Sequence, residues 1–184
     1  SNGNGTFRAP VQIASHTHWM TAEAGDLNGD GIADVVTNAN SVLLGNGDGT
    51  FRRTADAPTT AGAGNFRAIV LTDINRDGKL DLIRAGNNAV PRGYTYVNLG
   101  NGDGSFGAMT SYYTAAYAGE KASVADMTGD GLPDICAFGR DGATVPGVIS
   151  ILLNNGNGTF YASVRYSMSG PPMSLLVADV NAAS

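Results

Sequence analysis

Short apolar runs alternate with glycine-rich polar stretches along the chain: A-I-V-L-T at 68–72, L-D-L-I-R at 80–84, Y-T-Y-V-N-L at 94–99 and I-C-A-F at 135–138. None continues at a helical period. Runs this short, bounded by Gly, Asn and Asp, read as β-strands. In the middle of the chain the expected strands are 66–72, 80–84, 94–99 and about 106–113.

The polar stretches between the strands fall into two alternating motifs. The first is D-L-N-G-D-G-I-A-D at 26–34, D-I-N-R-D-G-K-L-D at 73–81 and D-M-T-G-D-G-L-P-D at 126–134, with a partial copy, D-V-N, at 179–181. Oxygen-bearing side chains fall at positions 1, 3, 5 and 9, and glycine falls at position 6. That is a calcium-loop pattern: a hard cation takes about six to eight oxygens, and a short loop supplies them by turning alternate side chains inward around a sharp bend. A nine-residue loop joining two strands fits better than an EF-hand, because the closing Glu at position 12 is Thr37, Arg84 and Ala137 here and both flanks read as strands.

The second motif is N-G-N-G-T-F at 2–7, N-G-D-G-T-F at 46–51, N-G-D-G-S-F at 101–106 and N-G-N-G-T-F at 155–160. Asn-Gly and Asp-Gly are hairpin signals, since their central residues accept positive φ. The first Asp of the loop motif recurs at intervals of 47, 53 and 53 residues. One repeat therefore reads as four short antiparallel strands, the size of a propeller blade. The predicted fold is all-β, with about three complete four-stranded blades and one further strand at each end. The whole chain, 1–184, reads as one repeat array: 1–18 the last strand of a preceding blade, 19–65, 66–118 and 119–172 three blades, and 173–184 the first strand of a further one. Both cuts fall inside a blade, at strands of about 6–15 and 174–179. The expectation is a fragment of a larger propeller, or closure by self-association through open strand edges.

Composition supports a folded, turn-rich chain. Apolar residues make up 42%, charged residues only 15%, and there are 26 glycines, about twice the ordinary share. The net charge of −5, much of it in the loops, disfavours a nucleic-acid partner. No apolar run approaches the roughly 20 residues of a membrane span. The single cysteine, Cys136, reads as a buried structural residue.

Taken together, the two motifs resemble the FG-GAP or VCBS repeats of the integrin alpha-subunit type of β-propeller, which also occur in fungal lectins and secreted bacterial proteins. The resemblance covers nearly the whole chain. It implies Ca²⁺ in the loop between the first two strands of each blade, about three ions in all. Carried over by position, the side-chain ligands are Asp26, Asn28, Asp30 and Asp34; Asp73, Asn75, Asp77 and Asp81; Asp126, Thr128, Asp130 and Asp134. The backbone carbonyls of Ile32, Lys79 and Leu132 would each add one oxygen. Thr128 replaces a carboxamide with a hydroxyl, so the third site is expected to be the weakest.

Catalysis finds little support. No nucleophile motif is present, and the acids outside the loops show no pairing. His16 and His18 could clip a transition metal from one strand face but lack a third ligand nearby. The stretches between blades are more informative. Trp19, Tyr112, Tyr113 and Tyr117 fall in two of them, beside His16 and His18, and aromatic faces near polar groups suit a sugar. The alternative is that these rings pack between blades. The expected function is a calcium-stabilised, non-catalytic, secreted or extracellular recognition module for a glycan or a protein. A lectin with pockets at the blade crossovers, or the accessory part of a secreted polysaccharide-active enzyme, are the competing readings.

Overall fold

The computed structural model describes residues 6, 9, 21–88, 92–115, 118–140, 147–170 and 177–178. Every regular element among them is a β-strand. Blade 1 comprises β1 (Ala22–Gly25), β2 (Asp34–Thr37), β3 (Val42–Gly45) and β4 (Phe51–Arg53). Blade 2 comprises β5 (Ala63–Thr72), β6 (Asp81–Asn88), β7 (Gly93–Asn98) and β8 (Thr110–Ala115). Blade 3 comprises β9 (Ala118–Ala125), β10 (Asp134–Arg140), β11 (Gly147–Leu152) and β12 (Val164–Ser167). In each blade the strands lie in chain order and pair antiparallel. Neighbouring blades meet along their first strands, β1 beside β5 and β5 beside β9. This is a partial β-propeller. The expected end strands at about 6–15 and 174–179 lie outside the described residues except at 6, 9 and 177–178.

Alternation along each strand sends successive side chains to opposite blade faces. Leu82 and Ile69 pack toward blade 1 with Leu27, Val36, Val42, Leu44 and Phe106. Their strand neighbours Ile83 and Val70 face blade 3 and pack with Ile74, Val97, Ile135, Leu152 and Phe160. The two cores are built alike. Each takes position 2 of a loop motif (Leu27 or Ile74) from one blade and the motif phenylalanine (Phe106 or Phe160) from the next.

Strand lengths depart from expectation in blade 2. β5 and β6 extend three and four residues beyond the sequence estimate, with register shifts at Gly64/Phe66 and Phe66/Ala68 that absorb the extra twist. β8 starts late, at Thr110, because Phe106 makes only an isolated bridge to Gly100. The Asn98 side chain then takes the Gly107 carbonyl at 2.8 Å, in place of a ladder partner. The described part of the stretch holding Tyr112 and Tyr113, expected to lie between blades, is strand: 110–115 form β8 and 118–121 open β9.

Candidate metal centres

Loop 1 (26–34), loop 2 (73–81) and loop 3 (126–134) each join the first and second strands of a blade. Their glycines are required by conformation: Gly29, Gly31, Gly78, Gly129 and Gly131 all have φ between 76° and 83°, where a Cβ is disfavoured.

Position 1 of each loop holds the turn closed. Asp26 accepts backbone N–H bonds from Gly29 (2.7 Å), Asp30 (3.2 Å) and Gly31 (2.8 Å). Asp73 accepts from Asp77 and Gly78, and Asp126 from Thr128, Gly129 and Gly131. The bond from Gly31, with those from Gly29, Asn28 and Asp30, holds the Asp26 carboxyl below its ordinary value against some desolvation. Desolvation raises Asp126, but the combined backbone bonds outweigh it and the net direction is again down. Positions 3 and 5 cap the bend. Asp30 N–H donates to Asn28 Oδ1 and Ile32 N–H donates to Asp30 Oδ1; Asp77 and Lys79 repeat this with Asn75 and Asp77, and Leu132 donates to Asp130.

Position 9 is buried and does something different. Asp34, Asp81 and Asp134 are at most 1% exposed. One oxygen of each accepts the N–H of position 2 (Leu27 2.8 Å, Ile74 2.8 Å, Met127 2.9 Å). The other accepts the N–H at the end of the third-strand segment (Gly45 2.8 Å, Gly100 2.7 Å, Asn154 2.9 Å). Each position-9 aspartate thus ties its loop to the residue that precedes the second motif. At Asp81, burial raises the carboxyl pKa, the bonds from Gly100 and Ile74 pull it back, and Asp77 and Asp73 add to the rise.

The second motif packs against the first through its glycines. A Cβ on Gly47, Gly102 or Gly156 would stand 3.2 Å from Ile32, 3.0 Å from Lys79 or 3.4 Å from Leu132, the position-7 side chain of the same blade's loop. A Cβ on Gly104 or Gly158 would stand 2.7 Å from Leu44 or Leu99 of the preceding blade. Hydrogen bonds follow the same route: Gly104 N–H donates to the Leu27 carbonyl at 3.1 Å, and Asn154 Nδ2 donates to the Ile74 carbonyl at 2.8 Å. The sequence did not reveal this strut. Its signal is the repeated pairing of an apolar residue at position 2 with a small residue in the next blade's turn.

Among the described residues, no three His, Cys, Asp or Glu side chains are gathered closely enough to hold an ion. The donor set is nonetheless all oxygen, with no imidazole or thiolate in any loop. A carboxylate has about four lone-pair sites, so accepting backbone bonds leaves capacity for a hard cation. The chemistry fits Ca²⁺ and not a soft metal.

The sugar-contact candidates separate. Tyr112 is partly buried between blades 2 and 3, edge-on to Phe160 at 5.4 Å. Tyr113 is 39% exposed, with Tyr94 at 5.7 Å and the Arg165 guanidinium over its ring at 5.3 Å. Tyr161 and Tyr166 of blade 3, which sequence reasoning passed over, are 62% and 58% exposed. His16, His18, Trp19 and Tyr117 lie outside the described residues.

The FG-GAP-like repeat model matches residues 1–37, 37–84, 73–137 and 126–182. No curated protein matches the sequence. With repeats matched from one end to the other and four-stranded blades built on them, the chain belongs to the FG-GAP-like repeat family.

Proposed function

We propose that this chain is a calcium-stabilised, non-catalytic recognition module of an extracellular protein, with a glycan or protein ligand. The observation that carries the reading is the run of FG-GAP-like repeats, a family typically devoted to recognition. Side-chain chemistry agrees with it. Asp48 and Asp103 cap their own turns through Thr50 and Ser105, and Asp56 pairs with Arg53 at 2.8 Å. The Cys136 thiol is buried and pushed up in pKa, which suits packing rather than nucleophilic attack. In this reading calcium stiffens the first hairpin of each blade. Extracellular modules bind Ca²⁺ with Kd of about 10⁻⁴–10⁻³ M. At about 2 mM Ca²⁺ each filled loop would then stabilise the fold by roughly 0.7–1.8 kcal/mol. A thermal melt with and without chelator should show that difference, and coincident melts would remove calcium from the account.

The lectin reading has a surface in its favour. Tyr113, partly exposed and with an arginine over its ring, offers an aromatic surface beside a polar group. Glycan-array binding of the calcium-loaded chain, repeated with chelator, decides between ligands. A hit that Tyr113→Ala abolishes without unfolding establishes the lectin; a blank array with folded protein leaves a protein ligand.

A further inference from the structure

Loop 2 departs from its neighbours at position 4. Loops 1 and 3 have Gly29 and Gly129 there, at φ 76° and 78°, whereas loop 2 has Arg76 at φ 61°. Arginine is a costly choice for a left-handed position that its neighbours fill with glycine. Its guanidinium reaches the next blade. A Cβ built on Gly131 would stand 3.2 Å from Arg76 Nη2, 3.6 Å from Nη1 and 3.8 Å from Cζ, so the fork lies over the bend of loop 3. Gly131 is position 6 of that loop, and its N–H is bonded to Asp126 Oδ2 at 2.8 Å. The corresponding glycines of the other loops carry no such neighbour: nothing stands within 4 Å of a Cβ built on Gly31 or Gly78.

We propose that Arg76 acts as a built-in rival cation for loop 3, weakening that loop's hold on a divalent ion and setting the order in which the loops fill. The proposal rests on the calcium reading of the loops. Its physics is Coulombic. A fixed positive charge within about one Debye length, roughly 8 Å at physiological salt, repels an incoming divalent cation. At that range in water the interaction corresponds to roughly a three- to ten-fold loss of affinity, and added salt shrinks it. Loop 3 therefore fills last, for a reason additional to the hydroxyl of Thr128.

The test is calorimetric titration of the whole chain with Ca²⁺ at low and physiological salt. Arg76→Asn removes the charge and keeps a residue that tolerates the left-handed conformation; Arg76→Lys keeps the charge. The expected result is a weakest site that tightens about three- to ten-fold in Arg76→Asn but not in Arg76→Lys, with a smaller gain at high salt. Adding Asp130→Asn, which cripples loop 3, should erase the gain. A gain that survives Asp130→Asn, or appears equally in Arg76→Lys, would place the effect in loop 2's own backbone and overturn the proposal. Saturable Ca²⁺ binding indifferent to Arg76 would overturn it and leave the calcium reading standing. A folded chain with no binding heat in any variant would sink both.

Discussion

The aspartates at the two ends of each loop have opposite electrostatic situations, and acid should tell them apart. Asp26 and Asp126 lie below the ordinary carboxyl value of 3.8 because backbone N–H groups bond their ionised forms. A lowered folded-state pKa gives stability that is complete above the unfolded value and is lost as pH falls through the folded one. Asp81 is raised by burial, so its ionised form burdens the fold, and that burden lifts as pH falls through its raised pKa. Loops 1 and 3 should therefore loosen below about pH 3.8 while the Asp81 tie holds. Amide-exchange protection should fall first at Gly31 and Gly131, whose N–H groups depend on Asp26 and Asp126, and later at Ile74 and Gly100. Simultaneous loss at all four would show that the fold opens as one unit and that these shifts do not govern it.

Each loop and the turn that follows it form one element split in the sequence. Both halves were legible: repeated acids and glycines fixed the loop, Asn-Gly dipeptides fixed the hairpin, and their spacing predicted four strands per repeat. Their contact was not legible, because it is made by residues with no chemical signature, such as the small Gly102 under Lys79 or the carbonyl of Leu27. Type and position mark Asp34 as a candidate ligand; its burial and its two backbone bonds belong to tertiary structure and were not legible. Tyr112 and Tyr113 are adjacent in sequence, yet strand alternation turns one into the core and leaves the other partly exposed. Two glycines separate local conformation from packing. Gly29 has φ 76° and open space around its missing Cβ, so Gly29→Ala should cost about 1–2 kcal/mol of backbone strain alone. Gly104 has φ 84°, and its Cβ would press to 2.7 Å on Leu44, itself only 4% exposed and hemmed in by the core. Gly104→Ala should cost about 2–5 kcal/mol, strain and overpacking together. Urea unfolding of both variants checks the contrast, and equal losses would remove the inter-blade contact from the explanation.

Blades 1 and 2 are joined by polar bonds as well as apolar packing, Gly104 N–H to the Leu27 carbonyl and Asn38 Nδ2 to the Phe66 carbonyl among them, and one arginine gathers several more. Arg84 is fully buried in β6, and among the described residues none of its hydrogen-bond partners is a carboxylate. It donates to Asn40 Oδ1 in the turn after β2, to the Pro58 carbonyl between the blades and to Asn98 Oδ1 on β7, and it lies 4.4 Å from the centre of the Phe66 ring. Burial pushes its pKa down to about 10, partly offset by Tyr96, so the guanidinium stays charged at neutral pH. A planar fork can reach acceptors in three directions at once, whereas a lysine is a single point charge. Arg84→Met would preserve much of the volume. It would leave the oxygens of Asn40 and Asn98 without this donor, while Pro58 keeps its bond from Asn98 Nδ2. The expected loss is about 2–4 kcal/mol, and Arg84→Lys should recover little of it. Because the bonds cross from blade 2 to blade 1, the damage should be local. Trypsin should cut at the exposed Arg52 and Arg53 of β4 sooner in Arg84→Met, with cleavage at Lys121 and Arg165 of blade 3 little changed. Equal acceleration at all four sites would mean that the three blades unfold together and that Arg84 is one core residue among many. Cleavage confined to β4 would make it the latch that docks the first blade on the second.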